Sequence, residues 1–478
     1  DVDAVNVGSI KVERTLKPRR KDGLYSALEY NYFSAPVADQ MMNAIYGGDP
    51  ANAQYVLVLD EPNNKFINAK TDDYLVKGKG FEVKEPSKDF VQGETAVTAT
   101  FKGVPNNATL KNNDQEGITI TRKSIGLGWN LIGNPYPSNI DLKLLYEDNI
   151  SKMLPEFRFW DNRVNNTYVQ YGGAYSGYSY AFYNAASDEG NPAPTGDAGN
   201  NTGTPGDPGT EAGLYGIAKV GQGFLVRASN VGSAKVIFSN TERTVEQPAR
   251  GFFGRSASAK DRYRIQLITP ANLNLTTTVV YFNGGNNGFG LEDSRHPSNT
   301  TSDALFTFAQ TDRTIINGRA PFGDTDVITV GTRHFVQGVY KIRAVDMIGV
   351  FKNGQHIYLK DKLLNTMTDL TSGDYTFTSD AGEFTNRFEI VYRPSPILTT
   401  ESFQKEQLIV YRDGNDYVVK SMGKKIIQLE TYDGAGRAIL KLQPNSTQVR
   451  INGDLLNNGL YILKIHRDDE VSTKKILK

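Results

Sequence analysis

The sequence predicts an all-β chain: tandem antiparallel β-sandwiches of jelly-roll or Ig-like kind, followed by a small C-terminal β-sandwich. Three observations predict it. Short alternating runs recur at residues 55–59, 97–101, 118–120, 235–238 and 264–267, and apolar residues at period two turn one face of a strand inward. Asn, Gly, Asp and Pro clusters separate such runs at roughly 8–12-residue spacing, as in sandwiches. Tyr (25) and Phe (23) far outnumber Met (6) and Trp (2), a balance suited to pleated, half-buried surfaces.

The elements follow in order. Residues 1–250 read as one double-lobed β domain with an internal duplication. Tyr30-Asn31-Tyr32-Phe33-Ser34-Ala35-Pro36-Val37 is echoed by Trp129-Asn130-Leu131-Ile132-Gly133-Asn134-Pro135-Tyr136, and Gly78-Lys79-Gly80-Phe81 by Gly221-Gln222-Gly223-Phe224. A repeated unit that cannot close its own face is expected to pair with its twin. Helical periodicity is scarce; the best candidates are residues 37–45 and 141–149, the latter opened by Ser138. Residues 185–212 turn to Gly, Pro, Asn, Thr and Asp with almost no large apolar side chain. Such a stretch is expected to be a mobile surface insertion, because it buries too little to offset its ordering entropy. A second sandwich is expected over 261–393, with the boundary before it near 249–260. Pro394 and Pro396 open a linker over 394–406, since Pro lacks the ladder donor. A compact series of strands fills 407–478, with Asp413-Gly414-Asn415 and Asp433-Gly434 as hairpin signals.

Composition excludes several functions. The 53 basic and 53 acidic residues cancel, so no global field steers the chain toward nucleic acid. Cys is absent, which removes disulfides, thiolate metal sites and a Cys nucleophile. No apolar run is long enough to span a membrane as a helix. The chain starts at Asp1 without a signal-peptide pattern, so it is expected to be the processed remainder of a longer protein.

The last block carries a specific combination of motifs. These are Tyr432-Asp433-Gly434-Ala435-Gly436-Arg437, then Asn458-Gly459-Leu460-Tyr461-Ile462-Leu463-Lys464, then Thr473-Lys474-Lys475-Ile476-Leu477-Lys478. In that order they resemble the type A C-terminal sorting domain of the type IX secretion system. One departure stands out: Ser402-Phe403-Gln404 occupies the place of the family's early Pro-Asn-Pro. Residues 128–138 and 386–392 are similar to recurrent motifs in the stalk-like β domains of large bacterial surface proteins with such tails. The resemblance implies export through the periplasm and outer membrane of a Gram-negative bacterium. It implies as partners a translocon and an outer-membrane shuttle barrel. It also implies a recognition role for Asp433, Gly436, Arg437, Gly459, Tyr461, Lys474, Lys475 and Lys478. Gly436 and Gly459 are expected at positive φ, Tyr461 in the small core, and the terminal strand as a donor for strand addition.

No catalytic constellation emerges. His296, His334, His356 and His466 show no metal-ligand spacing, and no nucleophile elbow or phosphate loop occurs. The Gly-x-Gly pairs lack a βαβ context and are expected to permit close backbone approach. No cofactor is expected; calcium is the one metal considered, with Glu292, Asp293, Asp303, Asp324 and Asp326 as oxygen donors, against ordinary turn chemistry. Phe157, Phe159, Trp160, Tyr168, Tyr171, Tyr175, Tyr178, Tyr180, Phe182 and Tyr183, with Asn162, Asn165 and Asn166, form a candidate glycan-binding face or an aromatic strand core. The expected function is that of a non-enzymatic surface protein, an adhesin or gliding-type protein. The alternatives are the accessory and sorting region of a secreted enzyme whose catalytic domain lies elsewhere, or a glycan-binding module.

Overall fold

The computed structural model describes residues 6–16, 20–21, 24–25, 30–45, 56–69, 73–84, 97–112, 115–123, 127–160, 180–196, 215–245, 260–297, 302–394, 408–421, 424–467 and 470–478. Strands dominate them, in mostly antiparallel sheets. The chain forms two compact units, Asp1–Pro394 and Ser395–Lys478.

The first unit begins with two lobes built alike. In one, Tyr30–Ser34 pairs with Gly80–Lys84, placing Phe33 opposite Phe81 and Ser34 opposite Gly80. In the other, Trp129–Gly133 pairs with Gly223–Ala228, placing Ile132 opposite Phe224 and Gly133 opposite Gly223. The echoed motifs thus share one register. Each lobe also reaches across to its twin: Phe33 bridges to Gln222 and Ile132 to Lys79. Ser34 N donates to Gly221 O, and Gly133 N to Gly78 O, both at 3.0 Å. These contacts exchange under the duplication, so the lobes pair about a pseudo-two-fold. Each lobe has its own core, one around Phe33, Phe81 and Phe101, the other around Phe157, Phe224 and Phe238, and a smaller cluster of Tyr32, Leu131 and Leu225 joins them.

Close approach explains the glycines. A Cβ on Gly223 would lie 2.9 Å from Phe33 O, and one on Gly80 2.7 Å from Ile132 O. Backbone cannot swing aside as a side chain can. Gly80→Ala and Gly223→Ala are therefore each expected to lower stability by roughly 1–3 kcal/mol, the usual cost of overpacking. The check is the urea midpoint, with Gly434→Ala as the control, because the nearest atom to a Cβ there is 3.8 Å away.

The helix at Leu142–Glu147 is capped by Asp141, not Ser138. The Asp141 carboxylate accepts from Lys143 N at 2.8 Å and Leu144 N at 3.2 Å, a stronger cap than a hydroxyl one turn too early. The expected helix over 37–45 is instead the strand Val37–Ala38 and a single 3-10 turn, Met42–Ala44. Val37 pairs with Pro105, so tertiary pairing overrides the local pattern.

Residues 185–196 are packed, contrary to the expected surface excursion. Glu189–Asn191 extends the five-stranded sheet of the second lobe, and Thr195–Gly196 pairs with the strand Leu273–Tyr281. Composition misled here because fixed hydrogen bonds replace apolar burial. Asn191 Nδ2 donates to Thr276 O at 2.8 Å, and Thr278 Oγ1 to Asn191 Oδ1 at 2.9 Å. The rest of the expected insertion lies outside the described residues. These bonds join the second lobe to the following sandwich, so the expected boundary near 249–260 does not divide two compact units.

That sandwich is one rolled sheet, ordered from Thr366–Asp369 through Gly382–Val391, Val327–His334, Leu273–Tyr281 and Gly338–Ile348 to Tyr375–Ser379. One pairing in it is parallel, between Leu273–Tyr281 and Asp312–Arg319. Its core holds a hydroxyl network in which Tyr281 and Tyr392 share a 2.7 Å hydrogen bond, and Tyr281 also donates to Asp326.

The second unit is a two-sheet sandwich. Leu408–Asp413, Asp416–Ser421 and Gln448–Ile451 form one sheet. Ala438–Leu442, Ile426–Asp433, Leu460–Arg467 and Glu470–Leu477 form the other. Tyr417, Val419, Leu429, Tyr461, Leu463 and Ile465 fill the space between.

Candidate functional site

In the tail, the residues singled out for recognition divide into two sets. Asp433, Gly436 and Arg437 build a hairpin turn. Asp433 Oδ1 accepts from Ala435 N at 3.0 Å and Arg437 N at 2.9 Å, and Oδ2 from Arg437 Nε at 2.8 Å. These bonds hold the Asp433 carboxyl below the usual range. Gly436 has φ +79°, which a side chain resists. Gly459, in contrast, is not at positive φ, and a Cβ there meets nothing within 4 Å. Its backbone amide and carbonyl bond those of Lys478, at 3.3 and 3.0 Å, contacts that do not require glycine. Tyr461 is buried in the core, its hydroxyl donating to Asn457 O at 3.0 Å.

The three lysines do not form one patch. Lys474 and Lys475 stand on opposite faces of the terminal strand, and Lys475 is exposed while Lys474 is half-buried. Lys478 reaches back to the Asn415 side chain in the first hairpin. Tyr417 donates its hydroxyl to Leu477 O, fastening the terminal strand to the other sheet. Neither Tyr417 nor Asn415, the latter only part of a hairpin signal, is among the recognition candidates, because nothing in the sequence signals a contact across so long a chain separation.

Upstream, the calcium candidates are satisfied by protein groups. Asp293 accepts from Gly290 N at 2.7 Å and Gly318 N at 2.8 Å; Asp303 accepts from Phe335 N at 2.8 Å. Asp326 is clasped by Arg319 at 2.7 Å, Asp324 pairs with Arg393, and Glu292 accepts from Asn286 N at 3.2 Å. Among the described residues no three His, Cys, Asp or Glu gather as a metal site. Within the aromatic group, Phe157, Phe159, Phe182 and Tyr183 are buried, so they cannot present a sugar platform. Trp160 and Tyr180 are half-buried against Tyr32. The group's other members lie outside the described residues.

Two histidines, His296 and His334, are buried. His334 stacks on Tyr340 with ring centroids 4.1 Å apart. Neither nitrogen makes a hydrogen bond of normal geometry. Burial and the Arg387 charge lower its pKa to about 4, against a weak opposing contact with the Asp380 backbone. Burial, then Arg333 and Arg313, lower that of His296 to about 3. Between pH 6.5 and these values the unfolded chain binds protons the folded chain refuses, so this contribution to stability is lost as pH falls. Buried Asp293, raised to about 7 by desolvation, acts in the opposite sense. The difference is therefore the clean readout. His334→Phe keeps the stack, and its stability relative to the parent is expected to rise by on the order of 1 kcal/mol per pH unit below pH 6.5. Urea midpoints at pH 7.5, 5.5 and 4.5 measure it.

The tail's sandwich, turn and terminal strand agree with a sequence comparison: residues 414–478 match the secretion system C-terminal sorting domain. The chain is thus a substrate of the type IX secretion system, exported across the outer membrane to the cell surface or beyond, and its tail interacts with that machinery. Residues 1–392 match a domain of unknown function, DUF8693, and the chain belongs to that family. No curated protein matches it.

Proposed function

We propose that the DUF8693 region is a non-catalytic structural module of a cell-surface adhesin or gliding-type protein, and that an outer-membrane shuttle barrel takes up the sorting tail behind it. The observation that carries this reading is how the polar groups of the first unit are used. The carboxylates offered for chemistry are spent on backbone amides and guanidinium groups, as Asp293, Asp303 and Asp326 are. A general acid or base needs a group within reach of substrate, whereas a load-bearing sandwich needs its buried polar groups satisfied. The test has two arms. Cells displaying the full chain are compared with cells displaying the chain without residues 1–392, for attachment and surface spreading at matched display. The purified chain is also offered polysaccharides, peptides and esters. Loss of attachment or spreading without residues 1–392, with no turnover, supports the reading. Turnover abolished by one carboxylate or Ser substitution overturns it.

A further inference from the structure

Two of the four edge strands of the tail's sheets, the first and the last in the chain, lie side by side. Among the described residues, Leu408–Asp413 pairs only with Asp416–Ser421, and Glu470–Leu477 only with Leu460–Arg467. A cleft of about 510 Å³ separates them, lined by Leu408, Val410, Arg412, Lys475 and Ile476 among others.

The edges differ. The terminal strand carries Lys475 outward, and its end is tied down by Tyr417 and Asn415. An outward Lys on an edge is a device against strand pairing. The first strand carries its charges, Arg412 and Asp413, only at the turn end. Ile409 and Tyr411 are each 45% exposed, an apolar pair on a strand with an open backbone.

The direction of that open backbone follows from the hairpin. Asp413 and Asp416 close a two-residue turn, Gly414 standing first in it at φ +63°, as a type II′ turn requires. The pair flanking such a turn is hydrogen-bonded, and bonded pairs alternate along an antiparallel ladder. Asp413, Tyr411 and Ile409 therefore bond inward to the partner strand. Leu408, Val410 and Arg412 direct their N–H and C=O groups outward, on the side where no described strand pairs.

The charge of the lining is one-sided. Arg412 and Lys475 border the cleft with no carboxylate beside them in its lining; Arg412 donates to Gly414 O, a neutral acceptor. A segment seated there gains from Asp or Glu side chains and from main-chain bonds along the edge.

We propose that an extended, carboxylate-bearing segment of the secretion machinery adds to the tail as a new strand along Leu408–Asp413, with side chains in the cleft between the tail's first and last strands. The proposal rests on the machinery reading the tail as a folded domain, and it moves the main-chain contact from the terminal strand to the first one. Val410→Pro is the direct test, made in the full chain in a host with this secretion system. Its outward N–H meets no partner among the described residues, so Pro is tolerated there as at other edges, yet it blocks an added strand. Surface display is expected to fall at least about tenfold, roughly 1.4 kcal/mol, while the purified tail melts as before. The paired change Arg412→Glu with Lys475→Glu is expected to do the same through charge, and Arg412→Lys with Lys475→Arg to restore display. If Val410→Pro unfolds the tail, the charge pair decides. Normal display of the folded Val410→Pro tail, or of the charge-reversed one, overturns the proposal. Failure of the unaltered tail to export anything would instead overturn the reading of the tail itself.

Discussion

A passenger fused to residues 398–478 is expected to reach the cell surface, and the same passenger without residues 474–478 to remain periplasmic. The truncation removes more than a charged end. It takes away the pairing of Lys474, Lys475, Ile476 and Leu477 with Leu463, Ile462, Tyr461 and Leu460. It also takes Ile476 from the core, where it is 7% exposed, and the carbonyl that accepts from Tyr417. Losing one buried aliphatic side chain costs about 2–5 kcal/mol, and a domain of this size has little more than that to spare. The upstream unit has its own cores, so its thermal transition is expected to be unchanged in the truncated full chain. Protease accessibility on intact cells reads the location, and calorimetry reads the folding. Surface display without these residues would show that the sorting role lies elsewhere in the tail.

The strands were legible because period-two alternation is a local property, and the hairpins because Asx-Gly dipeptides constrain φ at single residues. The duplication was legible too, since Gly80 and Gly223 stand at equivalent places in both echoed motifs. That they permit close backbone approach was legible as well; what they approach was not, because it is the twin's backbone at Ile132 and Phe33, far away in sequence. The same limit explains residues 185–196, where composition speaks for a loop and Asn191 is held by Thr276 and Thr278 of a distant strand. In the tail, Asp433, Gly436 and Arg437 proved to be turn residues and Tyr461 a core residue, while the lysines lie on the terminal strand and at its end. The open edge at Leu408–Asp413 went unremarked because an edge strand and a central strand can carry the same local pattern.

Residues 386–392, which resemble a recurrent motif of surface-protein stalks, hold the buried ion pair from which the largest loss of stability in the first unit is expected. Arg387 Nη2 lies 2.8 Å from Asp361 Oδ2, with side chains 5% and 0% exposed. Asp361 also accepts from Tyr375 at 2.8 Å and from Leu363 N at 2.9 Å. The guanidinium lies over the rings of Phe377 and Phe388, 4.6 and 4.8 Å from their centroids. Burial alone would raise the Asp361 pKa, but the bonds from Arg387 and Tyr375 outweigh it and hold the group below its ordinary value. Its contribution is thus present above the unfolded carboxyl pKa of about 3.9 and lost as pH falls through the lower folded value. Asp361→Ala is expected to cost roughly 3–5 kcal/mol at pH 7, because it leaves a cation in the core with no counter-charge. The double change Asp361→Leu with Arg387→Met is expected to cost less than Asp361→Ala alone, since it removes both charges and keeps apolar volume beside Phe377. Urea midpoints with unchanged m-values for Asp361→Leu, Arg387→Met and the double variant supply the coupling energy. A loss below about 1 kcal/mol for Asp361→Ala would place the pair in the range of solvent-screened surface bridges, and the motif would then owe its recurrence to something other than this pair.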